Sequence, residues 1–168
     1  MGMESYNIML LAHNVSIVKK HEYWGLSNYS DMSENTIKKA INQLCDCSMK
    51  ENEYVFKDII DVKVYCENNY FQGIETRGCI SCLEEGIKRF YELYYKMNEI
   101  IPIHVYVLDQ RIDIHNENEL YDTICNLYSD KINLFKRQYG DEELIVSSGG
   151  FYNEINKRKK WYYKIFHK

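Results

Sequence analysis

Alternating apolar and polar positions mark several segments of the chain as strands. Residues 6–18 begin such a pattern, with one face directed toward a core. Residues 54–75 continue it, and the dipeptide Asn68-Asn69 can supply the positive φ angles that a two-residue hairpin turn requires. We therefore predict two antiparallel strands about this turn. A nearly continuous apolar run at 100–108 predicts a buried central strand.

Three further segments carry apolar residues at the three- and four-residue spacing of an amphipathic helix. The first follows the acidic residues Asp31 and Glu34, and the second runs from Ile80 for five turns. The third begins at a capping box formed by Asn116 and Glu119 and is predicted to end at Gly140. The predicted inward-facing residues are Ile37, Ala40, Ile41 and Leu44 in the first helix, Ile80, Leu83, Ile87, Phe90, Tyr94 and Met97 in the second, and Leu120, Ile124, Leu127, Ile132, Phe135 and Tyr139 in the third.

The end of the chain is predicted to return to β structure, with a strand at 144–147 and a hairpin over 151–166. No linker, internal repeat or second domain is visible in the 168 residues. A chain of this length buries enough surface to fold without a metal or a disulfide. We predict a single globular domain over residues 1–168, of α+β or α/β class, with a mixed sheet of about five strands and three main helices.

The composition is that of a globular protein, with 45% hydrophobic and 27% charged residues. No apolar run is long enough for a membrane span, and six cysteines without an export signal are typical of reduced thiols. Sixteen tyrosines against a single proline indicate an AT-rich coding sequence, as in bacterial or viral mobile elements. We expect a cytoplasmic protein that needs no cofactor and contacts no membrane.

The clearest candidate for chemistry is the CxxC motif formed by Cys79 and Cys82, at the predicted start of the longest helix. A cysteine in the first turn of a helix is stabilised as a thiolate by the helix dipole. The motif and the apolar strand after it resemble the thioredoxin-like family over residues 79–109. That resemblance implies a thiol oxidoreductase in which Cys79 is the nucleophile and Cys82 the resolving thiol. The dipeptide Arg77-Gly78, in place of an aromatic residue, departs from the family's pattern, as does the lack of any proline after Pro102.

Other enzyme chemistry has little support in the sequence. Cys45 and Cys47 could join the CxxC motif as four zinc ligands, but their spacing is not that of a zinc knuckle, so we predict no metal site. The five histidines are scattered singly, and no phosphate-binding loop or nucleophile motif is present. The sequence leaves catalysis open and favours a non-catalytic role.

The charge of the chain is divided between an acidic body and a basic end. Residues 1–150 carry 15 Lys and Arg against 24 Asp and Glu, whereas residues 151–168 carry 6 against 1. The basic end interleaves cations with aromatic residues, a pattern suited to phosphate contact and base stacking. Nucleic-acid binding by this end is a second alternative, and its candidate residues are Lys157, Arg158, Lys159, Lys160 and Trp161.

The acidic, tyrosine-rich body favours capture of a basic protein, because carboxylates steer such a partner and tyrosines anchor it. In this respect the chain is similar to the immunity proteins of bacterial toxin systems and to the inhibitors carried by phages or viruses. We expect a non-catalytic inhibitor that binds and occludes a basic toxin or nuclease. The candidate partner-binding residues are Asp113, Glu117, Glu119, Tyr121, Asp122, Asp141, Glu142 and Glu143.

Overall fold

A computed structural model describes residues 5–20, 23–45, 47–50, 52–57 and 59–139. The strands are β1 (Ser5–Ala12), β2 (Ser16–Lys20), β3 (Tyr23–Ser27), β4 (Cys47–Lys50), β5 (Glu53–Phe56), β6 (Ile60–Glu67), β7 (Tyr70–Cys79), β8 (Ile103–Val107) and β9 (Gln110–Ile112). The helices are α1 (Glu34–Leu44), α2 (Leu83–Ile100), α3 (Glu117–Leu127) and α4 (Ser129–Tyr139), with a short 3-10 turn at Ile80–Cys82.

Seven of the strands form one sheet in the order β4-β5-β6-β7-β1-β8-β9, and β2 pairs with β3 in a separate two-stranded sheet. The predicted α+β class is confirmed. The sheet has more strands than the five predicted, and all its described pairs are antiparallel, so it is not mixed. Strands β7 and β8 both run antiparallel to β1 and therefore point the same way. Because β1 lies between them, the α2 crossover creates no parallel hydrogen-bonded pair.

The predicted hairpin at residues 68 and 69 is confirmed. Strands β6 and β7 pair up to Glu67 and Tyr70, and the two residues between them are left-handed, with φ of 53° at Asn68 and 66° at Asn69. Asparagine adopts this conformation at lower cost than most residues. The local sequence therefore determines this turn.

The first and third helices begin where the sequence predicts, whereas α2 begins at Leu83 and not at Ile80, and the third helix is divided. The Ser33 side chain accepts a hydrogen bond from the Thr36 amide at the start of α1, and Asn116 caps α3 in the same way. The helix predicted from 116 to 140 is two helices, α3 and α4, which meet at Tyr128. Gly140 and the β structure predicted at 144–147 and 151–166 lie outside the described residues.

The core lies between one face of the sheet and the helices. Alternate residues of β1 point into it, and Leu93 of α2 joins the predicted helical stripe, in which Tyr94 is only half-buried. None of the described helices has both the length and the apolar character needed to cross a membrane. The largest fully buried side chains are Tyr6, Ile8, Leu10, Leu11, Ile37, Ile41, Phe56, Ile60, Phe71, Ile74 and Phe90.

Tyr128 closes a gap on one edge of β1. Strand β8 pairs with β1 only from Met9 to Ala12, so no strand of the described residues pairs with the backbone of Asn7 on that side. The Tyr128 hydroxyl donates to the Asn7 carbonyl oxygen and accepts from the Asn7 amide, each at 3.1 Å. Lys131 donates to the Ser5 carbonyl oxygen at 3.0 Å. The junction of α3 and α4 thus takes the place of a strand at this edge.

We predict that Tyr128→Phe lowers the free energy of unfolding by about 1–3 kcal/mol, because it leaves a partly buried amide and carbonyl unpaired. Urea denaturation measures the loss, and hydrogen exchange at the Asn7 amide should accelerate. Tyr95→Phe is the matched control, since Tyr95 is 60% exposed on α2 and its hydroxyl loss should cost less than about 0.5 kcal/mol. Equal stability of the two variants would refute the edge-closing role.

Two glycines make room for the buried side chain of Tyr6. A Cβ atom at Gly78 or at Gly86 would overlap the Tyr6 ring or hydroxyl. That hydroxyl is buried without a hydrogen-bond partner among the described residues, and burial raises the pKa of Tyr6 well above its ordinary value. Glycine inside a helix costs about 1 kcal/mol relative to alanine, so Gly86 is explained by packing and not by helix propensity.

We predict that Gly86→Ala destabilises the protein by about 1–3 kcal/mol through overpacking, despite the better helix propensity of alanine. Tyr6→Phe alone should be nearly neutral, because it removes a hydroxyl that has no partner among the described residues. The double variant should recover most of the loss, since the next Tyr6 atom lies at 3.5 Å from the position that the alanine methyl group would take. Additive losses in thermal or urea denaturation would show that the Tyr6 hydroxyl is not the obstacle.

Candidate functional site

The CxxC motif lies ahead of the helix and not in its first turn. Cys79 is the last residue of β7, and Cys82 ends the 3-10 turn before α2 starts at Leu83. Cys79 is only 5% exposed and Cys82 is fully buried. A hydrogen bond with Cys82, together with burial, raises the pKa of the Cys79 thiol. The environment therefore acts in the opposite direction to the thiolate stabilisation that the sequence predicts.

We predict that Cys79 and Cys82 of the native, reduced protein react with iodoacetamide at pH 8 at least about tenfold more slowly than Cys125, because burial limits both access and thiolate formation. Cys125 is half-buried on α3 and serves as the internal reference. Mass spectrometry of peptides after quenching gives each rate, and urea-unfolded protein should show no such difference. Preferential alkylation of Cys79 would instead support the thiol oxidoreductase.

The four cysteines considered as zinc ligands do not converge. Cys47 is on edge strand β4 and Cys79 is on β7, three strand spacings away, or about 14 Å along the sheet. Zinc holds each thiolate at about 2.3 Å, which this backbone separation does not permit. Over the described part of the chain, no three His, Cys, Asp or Glu side chains are grouped as a metal ion would require.

Four of the acidic residues predicted to bind a partner lie on one continuous segment. Asp113 follows β9 directly, and Glu117, Glu119 and Asp122 are in α3. Glu117 is half-buried and the other three are exposed, whereas Tyr121 is half-buried and packs against the core. We call residues 112–130 the acidic segment. The remaining predicted acidic residues, Asp141, Glu142 and Glu143, lie outside the described residues, as do Lys157, Arg158, Lys159, Lys160 and Trp161.

The acidic segment differs from helices α1 and α2 in the pairing of its carboxylates with cationic side chains. It contains five carboxylates and no lysine or arginine. None of Asp113, Glu117, Glu119 and Asp122 forms an ion pair with a described residue. Some carboxylates elsewhere do have cationic partners within the fold: the pairs are Glu34 with Lys38, Asp61 with Arg77, Glu85 and Glu92 with Arg89, and Glu92 also with Lys96.

The face of the sheet opposite the core carries its own polar network. At its centre, Glu75 accepts hydrogen bonds from the Asn7 side-chain amide at 2.9 Å and from the Tyr65 hydroxyl at 2.6 Å. Burial and the bond to Glu75 raise the pKa of Tyr65. Beside it, Arg77 donates twice to Asp61. The buried side-chain oxygen of Asn7 has no hydrogen-bond partner among the described residues. The other groups bond to one another within the sheet and stabilise this face.

Three loops meet at the end of the sheet where β1 finishes. They comprise residues 13–16, 27–33 and 67–71, and we call them the loop end. The Asn14 side chain donates to the Tyr29 carbonyl oxygen at 2.7 Å, and the Gln72 side chain donates to that of Asn28 at 2.8 Å. The Ser30 amide donates to the Phe71 carbonyl oxygen, and the Phe71 amide to that of Met32. The loop end is therefore a fixed structure.

A stacked pair of tyrosines is exposed on the loop end. The ring centroids of Tyr29 and Tyr70 are 5.2 Å apart, and the ring planes are inclined by 16°. Each residue is 40% exposed, whereas most of the large apolar side chains described are buried or half-buried. Exposed, rigidly held tyrosines are typical of protein-binding surfaces.

The loop end and the start of the acidic segment lie at the same end of the sheet. Leu11, near the end of β1, pairs with Gly73 on one side and with His104 on the other. Asp113 follows Ile112, the partner of Val105, and is therefore beside His104. Burial lowers the pKa of His104, an effect that Asp113 partly opposes.

Tyr29 and Tyr70 are not among the site residues predicted from the sequence. The available signal is the dipeptide Asn-Tyr, which occurs at 28–29 after β3 and at 69–70 in the hairpin turn. Both asparagines are left-handed, with φ of 63° at Asn28 and 66° at Asn69. The pattern predicts two turns that each present a tyrosine, but no local rule brings the two together.

Comparison with protein-family models, with curated proteins and with solved structures finds no match for this chain.

Proposed function

We propose that this protein is a non-catalytic, stoichiometric binding protein that captures a basic protein, of the toxin or nuclease class, and occludes its active site. The observation that supports the proposal is the acidic segment, whose four exposed or half-exposed carboxylates have no cationic partner within the described fold. Unpaired carboxylates of one sign produce a field that attracts and orients a cationic surface. A cationic partner would supply the charges that the described residues do not provide.

The buried CxxC motif gives the alternative, thiol chemistry, less support. A nucleophilic cysteine must be accessible and ionised, whereas Cys79 is buried and its pKa is raised. Stoichiometric binding needs neither property, and it uses the part of the surface that carries unpaired charge.

We predict that neutralising the acidic segment weakens capture of basic proteins. Binders are selected from a displayed library of small folded domains with a wide range of net charge. They are then measured against wild type and against the variant Asp113→Asn/Glu117→Gln/Glu119→Gln/Asp122→Asn. We expect the selected domains to be basic and their affinity to fall at least about tenfold in the variant. The control is Glu84→Gln/Glu99→Gln, two exposed acidic residues on α2.

Association should also slow as the ionic strength rises from about 0.01 to 0.15 M, over which the Debye length falls from about 30 to about 8 Å. Surface plasmon resonance gives the rate constants. Selected domains that are neutral or acidic, or whose affinity is the same for wild type and variant, would contradict capture by charge.

A further inference from the structure

Packing of the core does not explain why the stacked tyrosines of the loop end are held so rigidly. Tyr29 and Tyr70 remain 40% exposed, so a substantial part of each side chain is not used in packing. Yet the backbone around them is held by the amides of Ser30 and Phe71 and by the side chains of Asn14 and Gln72. A rigid aromatic surface loses little conformational entropy when it binds, which is what an interface anchor needs.

Left-handed backbone sets the position of both tyrosines. Each follows a left-handed asparagine, Asn28 before Tyr29 and Asn69 before Tyr70. Asparagine adopts this conformation at lower cost than most residues. The two turns therefore present their tyrosine rings side by side at little cost in backbone energy.

The charge around the pair is negative. Glu67 is directly opposite Tyr70 across the hairpin, and exposed Asp31 is two residues after Tyr29. Neither residues 21–37 nor residues 64–76 contain a lysine or an arginine, and Lys38, which follows the first of these ranges, is paired with Glu34 at 2.6 Å. The face of a tyrosine ring is itself negative. This surface therefore attracts a cation and repels the phosphates of a nucleic acid.

We propose that the Tyr29–Tyr70 pair is the anchor site for an arginine side chain of a basic protein partner, with the guanidinium group on the exposed ring surface and paired with Glu67. A planar guanidinium can stack on a ring and bind a carboxylate at the same time, which an ammonium group cannot do as well. The inference rests on the proposed function and adds to it the group that the partner presents. The acidic segment, at the same end of the sheet, steers that partner.

A short peptide tests the site directly. The probe is acetyl-Gly-Gly-Arg-Gly-Gly-amide, and its control replaces arginine with citrulline, which has nearly the same shape and no charge. Titration of isotope-labelled protein should shift the amide signals of residues 29–31 and 67–71 with the arginine peptide and not with the citrulline peptide. An eight-residue oligothymidylate should shift neither segment. No shift with the arginine peptide, or equal shifts with citrulline or the oligonucleotide, would overturn the proposal.

Variants of the two tyrosines distinguish loss of the aromatic rings from loss of the fold as the cause of weaker peptide binding. Tyr29→Ala/Tyr70→Ala should weaken peptide binding at least about tenfold, as expected for truncated anchor residues. Tyr29→Phe/Tyr70→Phe keeps the rings and should bind nearly as wild type, which guards against a loss caused by misfolding. Tyr95→Ala removes a lone exposed tyrosine on α2 and should have no effect. Equal loss in the phenylalanine variant would exclude ring stacking as the source of affinity.

The basic domains selected against the whole protein distinguish the two proposals. Loss of their affinity in both the acidic-segment variant and the alanine variant supports the anchor site. Loss of affinity in the acidic-segment variant alone supports charge-driven capture and overturns the anchor site. Loss in neither overturns both.

Discussion

The fold depends on strand β1 being paired along both of its edges. Its partners are distant in sequence, with Ser5 opposite Cys79 in β7 and Met9 opposite Tyr106 in β8. Such pairs bring loop-closure costs that only the assembled core repays. Where β8 ends short, the hydroxyl of Tyr128 completes the edge. The position of β1 therefore determines where α2 crosses from β7 to β8 and where α3 ends. It also determines which loops come together at the end of the strand.

Local structure could be predicted because local forces determine it. The 3.6-residue periodicity of α1 and α2, the Asn116 cap and the Asn68-Asn69 turn all act within a few residues. The division of the third helix could not be predicted in this way. The junction carries a hydrogen bond between Tyr128 and Asn7, which are 121 positions apart, and no local pattern shows such a contact.

The CxxC motif shows how tertiary pairing overrides a local pattern. Ile80 and Leu83 have helical spacing, which predicts a helix that begins at the cysteines. Pairing of Cys79 with Ser5 instead extends β7 to that residue and buries it at the end of the sheet. The candidate site follows the same rule. The acidic residues of α3 could be found by composition, but the tyrosine pair exists only because two Asn-Tyr turns meet.

The acidic segment also explains how a fold can keep unpaired carboxylates at small cost. Glu117 and Glu119 are in the first turn of α3, where the helix dipole favours negative charge by about 0.3–1 kcal/mol each at low ionic strength. Asp130 is placed in the same way in α4. In α1 and α2, by contrast, Glu34, Glu85 and Glu92 pair with lysine or arginine three or four positions away. In α3 and α4 the helix dipole can therefore offset the repulsion between carboxylates, which lysine and arginine side chains reduce in α1 and α2. The carboxylates of the acidic segment stay available to an external cation. A segment arranged in this way keeps its negative charge while the protein stays folded.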